Sequence, residues 1–130
     1  MFRWAEHTAE LELQIEASSE AAVFEEALIA FAELLGDGGG DPMTRELEVE
    51  AEESSMLLVE WLSELVYLSE AEQFVPAQIA SLELANGRLR ATVEGHRGEP
   101  RHLVKAVTLH RLELRQDDTA GWHARVVLDV

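Results

Sequence analysis

Ala9-Glu10-Leu11-Glu12-Leu13-Gln14-Ile15-Glu16 alternates apolar and polar side chains along its length. Successive side chains of an extended chain point to opposite faces. Leu11, Leu13 and Ile15 therefore share one face, and Glu10, Glu12, Gln14 and Glu16 share the other. This pattern predicts a half-buried strand and puts Glu10 on its polar side. The period then changes. Ser18 and Ser19 offer N-caps, and Val23, Phe24, Ala27, Leu28, Phe31, Leu34 and Leu35 recur at helical spacing. An amphipathic helix over 20–35 is expected, stopping at Gly36.

Beyond that helix, Gly36-Asp37-Gly38-Gly39-Gly40-Asp41-Pro42 reads as a connector. Leu47, Val49 and Ala51 alternate with Glu46, Glu48, Glu50 and Glu52, predicting a second half-exposed strand. Ser54 and Ser55 precede a strongly apolar helix over about 55–69. Its Leu57, Leu58, Trp61, Leu62, Leu65, Val66 and Leu68 cover a wide arc, as in a helix lying deep in a core. Gln78–Ala85 and Arg88–Gly95 flank Asn86-Gly87, a strong hairpin signal. A loop through Arg97–Pro100 leads to a strand near 104–115, a turn at Asp117-Asp118-Thr119-Ala120-Gly121, and a last strand over Trp122–Val130. The order implies an α+β fold, mainly antiparallel, with two principal helices. A strand-helix-strand unit occurs about twice, without sequence identity between the copies.

Composition narrows the function classes. A chain of 130 residues with 47% hydrophobic content is expected to form one domain, 1–130, around a real core. No apolar run approaches the ~20 residues that span a bilayer, and Phe2, Arg3 and Trp4 lead into acidic sequence rather than a signal peptide. The absence of cysteine removes disulfides, zinc-thiolate sites and thiol nucleophiles. A cytoplasmic protein is the expectation. The net charge of −16 is uneven: residues 1–72 hold 19 acidic and 2 basic side chains, residues 73–130 hold 7 and 8. Such an acidic surface disfavours stable nucleic-acid binding, which needs cations against phosphate. His96, Arg97, Arg101, His102, Lys105, His110 and Arg111 gather within sixteen residues. They suit an acidic partner or a phosphate, and equally the exposed rim of a sheet.

Chemistry-bearing motifs are few. The glycine-rich connector lacks the Lys-Ser/Thr of a phosphate loop and follows a helix; there is no nucleophile elbow and no His-Glu-x-x-His pattern. His7 suits a base, a ligand or a backbone hydrogen bond. Trp61, Trp122 and Tyr67 suit core packing. No base, nucleophile and oxyanion donor converge, so a hydrolase is not expected. One constellation remains. If the strand opening at Glu10 lies antiparallel beside the strand closing at Asp129, then Glu10, Asp129 and the terminal oxygens of Val130 form an oxygen-rich cluster. Oxygen-only ligation favours calcium or magnesium over zinc.

Four segments in order carry a resemblance to a known family. They are Trp4 with Glu6-His7-Thr8-Ala9-Glu10, Leu58-Val59-Glu60-Trp61-Leu62-Ser63-Glu64-Leu65-Val66-Tyr67-Leu68, Val104-Lys105-Ala106-Val107-Thr108-Leu109-His110, and Gly121 through Val130. Together they resemble the archease family. The resemblance implies an α+β fold with a strand-helix-strand-strand module present twice. It also implies a non-catalytic protein that promotes guanylylation and multiple turnover of a GTP-dependent RNA-splicing ligase, in tRNA splicing or RNA repair, with no membrane attachment. The implied metal site falls on Glu10, Asp129 and Val130, with a divalent cation, calcium or magnesium, as cofactor. His7 and Lys105 are the expected supporting or partner-contact residues. Two positions depart from the family pattern: Glu10 stands where an aspartate is usual, one carbon–carbon bond of ~1.5 Å longer, and Leu109 where an aromatic residue is usual. The alternative reading is a general acidic chaperone or adaptor for basic client proteins.

Overall fold

The computed structural model describes residues 1–7, 9–101 and 103–130, with the backbone alone at His7. Among the described residues nine elements follow one another: β1 (Phe2–His7), β2 (Glu10–Ala17), α1 (Glu20–Leu35), β3 (Pro42–Glu50), α2 (Ser54–Ala71), β4 (Phe74–Ala85), β5 (Arg88–Arg97), β6 (Ala106–Gln116) and β7 (Trp122–Asp129). They build a four-stranded sheet, ordered β1-β2-β7-β6, and a three-stranded sheet, ordered β3-β5-β4. Every pairing is antiparallel. The α+β expectation holds.

The order of the strands contains a repeat. In the three-stranded sheet β3 leads through α2 to the β4–β5 hairpin, and β5 returns beside β3. In the larger sheet β2 leads into α1, and the β6–β7 hairpin returns β7 beside β2. The two strand-helix-strand-strand modules are thus nested: β3 through β5 is inserted between α1 and β6. β1 is an added edge strand.

Local signals explain most boundaries. Ser19 caps α1, its Oγ accepting from the Ala22 N–H at 3.1 Å. Gly36 ends the helix at φ +86°, a conformation a Cβ disfavours. Asn86 and Gly87, both at positive φ, form the primed turn that matches the twist of β4 and β5. Four expectations are corrected. Tyr67, expected in the core, is 56% exposed. β1 is a strand absent from the sequence expectation. β3 begins at Pro42 and ends at Glu50 instead of running from Glu46 to Glu52; Ala51 instead donates its N–H to the Gly87 carbonyl at 2.9 Å. Ser54 lies inside α2 without capping it, and its hydroxyl bonds Glu20 Oε1 at 2.9 Å, tying the starts of the two helices together.

The core is shared between sheets and helices. α1 touches β1, β2 and β7 of one sheet and β4 of the other, while α2 touches β3, β4, β5 and β6. Facing both sheets requires the broad buried arcs seen on each helix. Trp61 is fully buried at their contact, and its indole N–H donates to the Phe24 carbonyl at 3.1 Å. From the four-stranded sheet Leu13, Ile15, Ala124, Val126 and Leu128 join this core.

Candidate functional site

The four-stranded sheet turns its other face outward, and β2 and β7 are its central strands. Their register sets Glu10 opposite Asp129, Glu12 opposite Val127, Gln14 opposite Arg125 and Glu16 opposite His123. Directly opposed residues of an antiparallel pair project on one face with Cβ atoms about 5 Å apart. Glu10 and Asp129 therefore share the outer face at one end of the sheet. The convergence expected of the two strands is present. The backbone pins this end firmly: Val130 donates its N–H to the Ala9 carbonyl at 3.2 Å, and Lys105 donates its N–H to the Asp129 carbonyl at 2.8 Å. Ala9 accepts a φ of +58° to make the tight return from β1.

The remaining candidates are placed differently. The backbone of His7 pairs with Glu10, but its side chain lies outside the described residues, as does His102. The Lys105 side chain is exposed and makes no ion pair with Glu10 or Asp129; its backbone, not its ammonium, touches the carboxylate strand. On the core side of the same sheet end, Val130 lines a cleft of about 370 Å³ with Trp4, Glu6, Leu11, Leu34 and Arg101.

Does this end suit a cation? Among the described residues, no three His, Cys, Asp or Glu side chains stand close enough to hold a metal by themselves. Side chains supply the two carboxylates of one rung, Glu10 and Asp129. Further oxygens would come from Val130 and water. Such a donor set fits a hard divalent ion held weakly and with water retained.

One outward-facing residue departs from expectation. Glu12, on the polar side of β2, is only 1% exposed. The cause lies in β6. Thr108 pairs with Val127 and Glu113 with Arg125, so five steps along β6 match two along β7. The extra residues bulge over the outer face. Arg111, at φ +59°, brings Nη1 within 2.8 Å of Glu12 Oε1, and its carbonyl accepts from Arg125 Nε at 2.9 Å. Gln14 Nε2 donates to the other Glu12 oxygen at 2.6 Å. Val127, beneath the bulge, is buried yet stands outside the core cluster.

The opposite end of β7, where a turn is expected, carries a polar lock. Asp117 Oδ1 accepts from the Thr119 N–H at 2.9 Å, the Thr119 hydroxyl at 2.8 Å and the Gly121 N–H at 2.9 Å. Its Oδ2 lies 2.6 Å from His123 Nε2. These bonds, the one to His123 foremost, hold the Asp117 carboxyl well below the usual carboxylate range. A carboxylate depressed in the folded state contributes stability above its unfolded pKa and loses it as the solution becomes more acid. The wild type should therefore progressively lose its thermal advantage over Asp117→Asn as the pH falls below about 5. Melting curves across that range measure it; a constant gap would contradict the lock. Asp129 is six residues along β7 from His123, about 20 Å.

Comparison with known proteins addresses the resemblance. Residues 2–130 match the family model described as the Archease protein family (MTH1598/TM1083). The chain belongs to the archease family. The "Protein archease" of Archaeoglobus fulgidus is 33% identical over 141 residues, covering 99% of this chain and 98% of that one. The solution structure of Methanobacterium thermoautotrophicum protein 1598 aligns with a TM-score of 0.75 at 27% identity, covering 99% of this chain and 98% of the other. A Thermotoga maritima crystal structure, described as an archease and possible chaperone, aligns at 0.72 and 24% identity, covering 100% and 98%, and supports the archease fold. Among the described residues, no helix is long and apolar enough to cross a membrane.

Proposed function

We propose that this archease is a non-catalytic protein cofactor of a GTP-dependent RNA-splicing ligase, promoting its guanylylation and its multiple turnover. The observation that carries the reading is the rung that sets Glu10 opposite Asp129, next to Val130, in a chain of the archease family. In this reading that end of the sheet docks at the mouth of the ligase active site. Glu10 and Asp129 sit on the two central strands of the sheet, so the backbone that carries their carboxylates moves little on docking. They orient ligase groups for reaction with GTP, and with the terminal oxygens of Val130 they are the residues that would hold a divalent ion. A bound ion of that kind supplies positive charge against the charge that develops on a phosphate. The Glu10 side chain reaches about 1.5 Å further than the aspartate usual in the family, so ion binding here should be weaker. The chain acts in the cytoplasm in this reading, and the ligase rather than the archease holds the RNA.

The test is turnover. A purified GTP-dependent ligase should complete more than one round of joining, from 2′,3′-cyclic-phosphate and 5′-hydroxyl ends, only when this chain is present. A single round with or without it would overturn the proposal. A second reading, a chaperone for basic clients, draws on the acidic surface and on the description of the Thermotoga maritima protein as a possible chaperone. It requires stimulation that fades with rising salt and does not depend on Asp129.

A further inference from the structure

The bulge in β6 is where the fold accepts strain and buries a carboxylate without adding to the core. Arg111 holds a left-handed backbone that a side chain disfavours. Glu12, Gln14, Arg111 and Arg125 surround its base, and Gln14 also accepts from Arg3. The product of this arrangement is a raised turn at residues 109–111, one rung along the sheet from the Glu10–Asp129 pair. At its start stands Leu109, 59% exposed. His110 follows, exposed, with its backbone N–H bonded to Thr108 Oγ1 at 3.2 Å.

A second exposed leucine, Leu103, precedes Lys105 at the same end of the sheet. Among the described residues, neither Lys105 nor His110 has a carboxylate within ion-pair reach. Seven of the nine arginines pair with side-chain oxygens, and among the described residues Arg97 and Arg101 do not. In a chain of net charge −16, the stretch 103–110 combines two exposed leucines, the unpaired ammonium of Lys105 and the exposed His110 imidazole. Its complement is an apolar seat bordered by carboxylates on another protein. A nucleic acid offers phosphate but no such seat.

We propose that Leu109, held up by the bulge, is the apolar anchor through which this archease seats on its protein partner, with Lys105 and His110 meeting carboxylates at the border of that seat. The inference rests on the ligase reading of the preceding section. It divides the labour at one end of the sheet: Leu109 sets affinity, and the neighbouring carboxylates set what the bound archease does. The bulge is a positioning device. The contacts of Arg111 with Glu12 and Arg125 hold the turn with Leu109 exposed, so little ordering is required on docking.

The experiment is a titration of archease into a fixed amount of ligase, reading guanylylation. Leu109→Asp should raise the concentration for half-maximal stimulation by about tenfold or more while leaving the maximum unchanged. Leu109→Tyr, an aromatic residue, should retain wild-type half-saturation. Both variants should melt with the wild type, because the side chain is exposed. If the wild-type chain gives no stimulation, the ligase reading falls and this inference with it. If the wild type stimulates and Leu109→Asp leaves half-saturation unmoved, the anchor alone is overturned. A change confined to the dependence on RNA concentration would also overturn it, placing Leu109 against RNA instead of protein.

Discussion

Asp129→Ala is expected to reduce the maximal stimulation of ligase guanylylation by about tenfold or more, with little change in the melting temperature. The side chain is partly exposed on the outer face, and the backbone bonds that hold this end belong to Val130, Ala9 and Lys105. Removing the carboxylate therefore leaves the scaffold in place and deletes one of the two oxygen-bearing groups of the rung. A single well-placed charged group at a reacting centre is typically worth 10²–10³ in rate; an auxiliary group supplied by a second protein should contribute at or below that range. Glu10→Ala should act in the same direction. Unchanged stimulation by both variants would remove the docked carboxylates from the mechanism. Glu10→Asp gives a complementary measurement: calorimetric titration with calcium should show tighter binding than the wild type, since the shorter side chain is the one usual in the family. Equal or weaker binding would argue that the Glu10–Asp129 rung does not hold the ion.

The second large effect concerns stability. Trp61→Ala should cost about 3–5 kcal/mol, because it leaves a large cavity where α1 and α2 meet beneath both sheets. Domains of this kind are stable by only about 5–15 kcal/mol, so the melting temperature should fall by roughly 10–20 °C. Trp61→Phe separates two contributions. It keeps most of the volume and removes the N–H bond to the Phe24 carbonyl, for a loss of about 1–2 kcal/mol. Denaturant unfolding followed by circular dichroism measures both. A loss below about 1 kcal/mol for the alanine variant would show that the helices do not depend on this contact.

How much of this could be read from residues alone varies by element. β2 was legible because Leu11, Leu13 and Ile15 alternate with charged or amide side chains, and α1 because Ser19 and Gly36 mark its two ends. The β4–β5 hairpin followed from Asn86-Gly87, whose backbone a primed turn demands. β1 escaped because its pattern breaks after two rungs: Phe2 and Trp4 face the core side, yet Glu6 follows them on that side and Ala5 lies on the outer one. The duplicated module did not read as a tandem repeat because one copy is nested inside the other.

The candidate site divides in the same way. That Glu10 and Asp129 are carboxylates at the ends of strands was present in the sequence, and the archease resemblance followed from its motifs. Which strands lie side by side was not, because strand pairing is decided by contacts between residues more than a hundred positions apart. The burial of Glu12 on the outer face and the projection of Leu109 are wholly tertiary. An alternating pattern specifies which side of a strand a residue faces; whether that side meets water depends on what crosses it, and here three extra residues of β6 do.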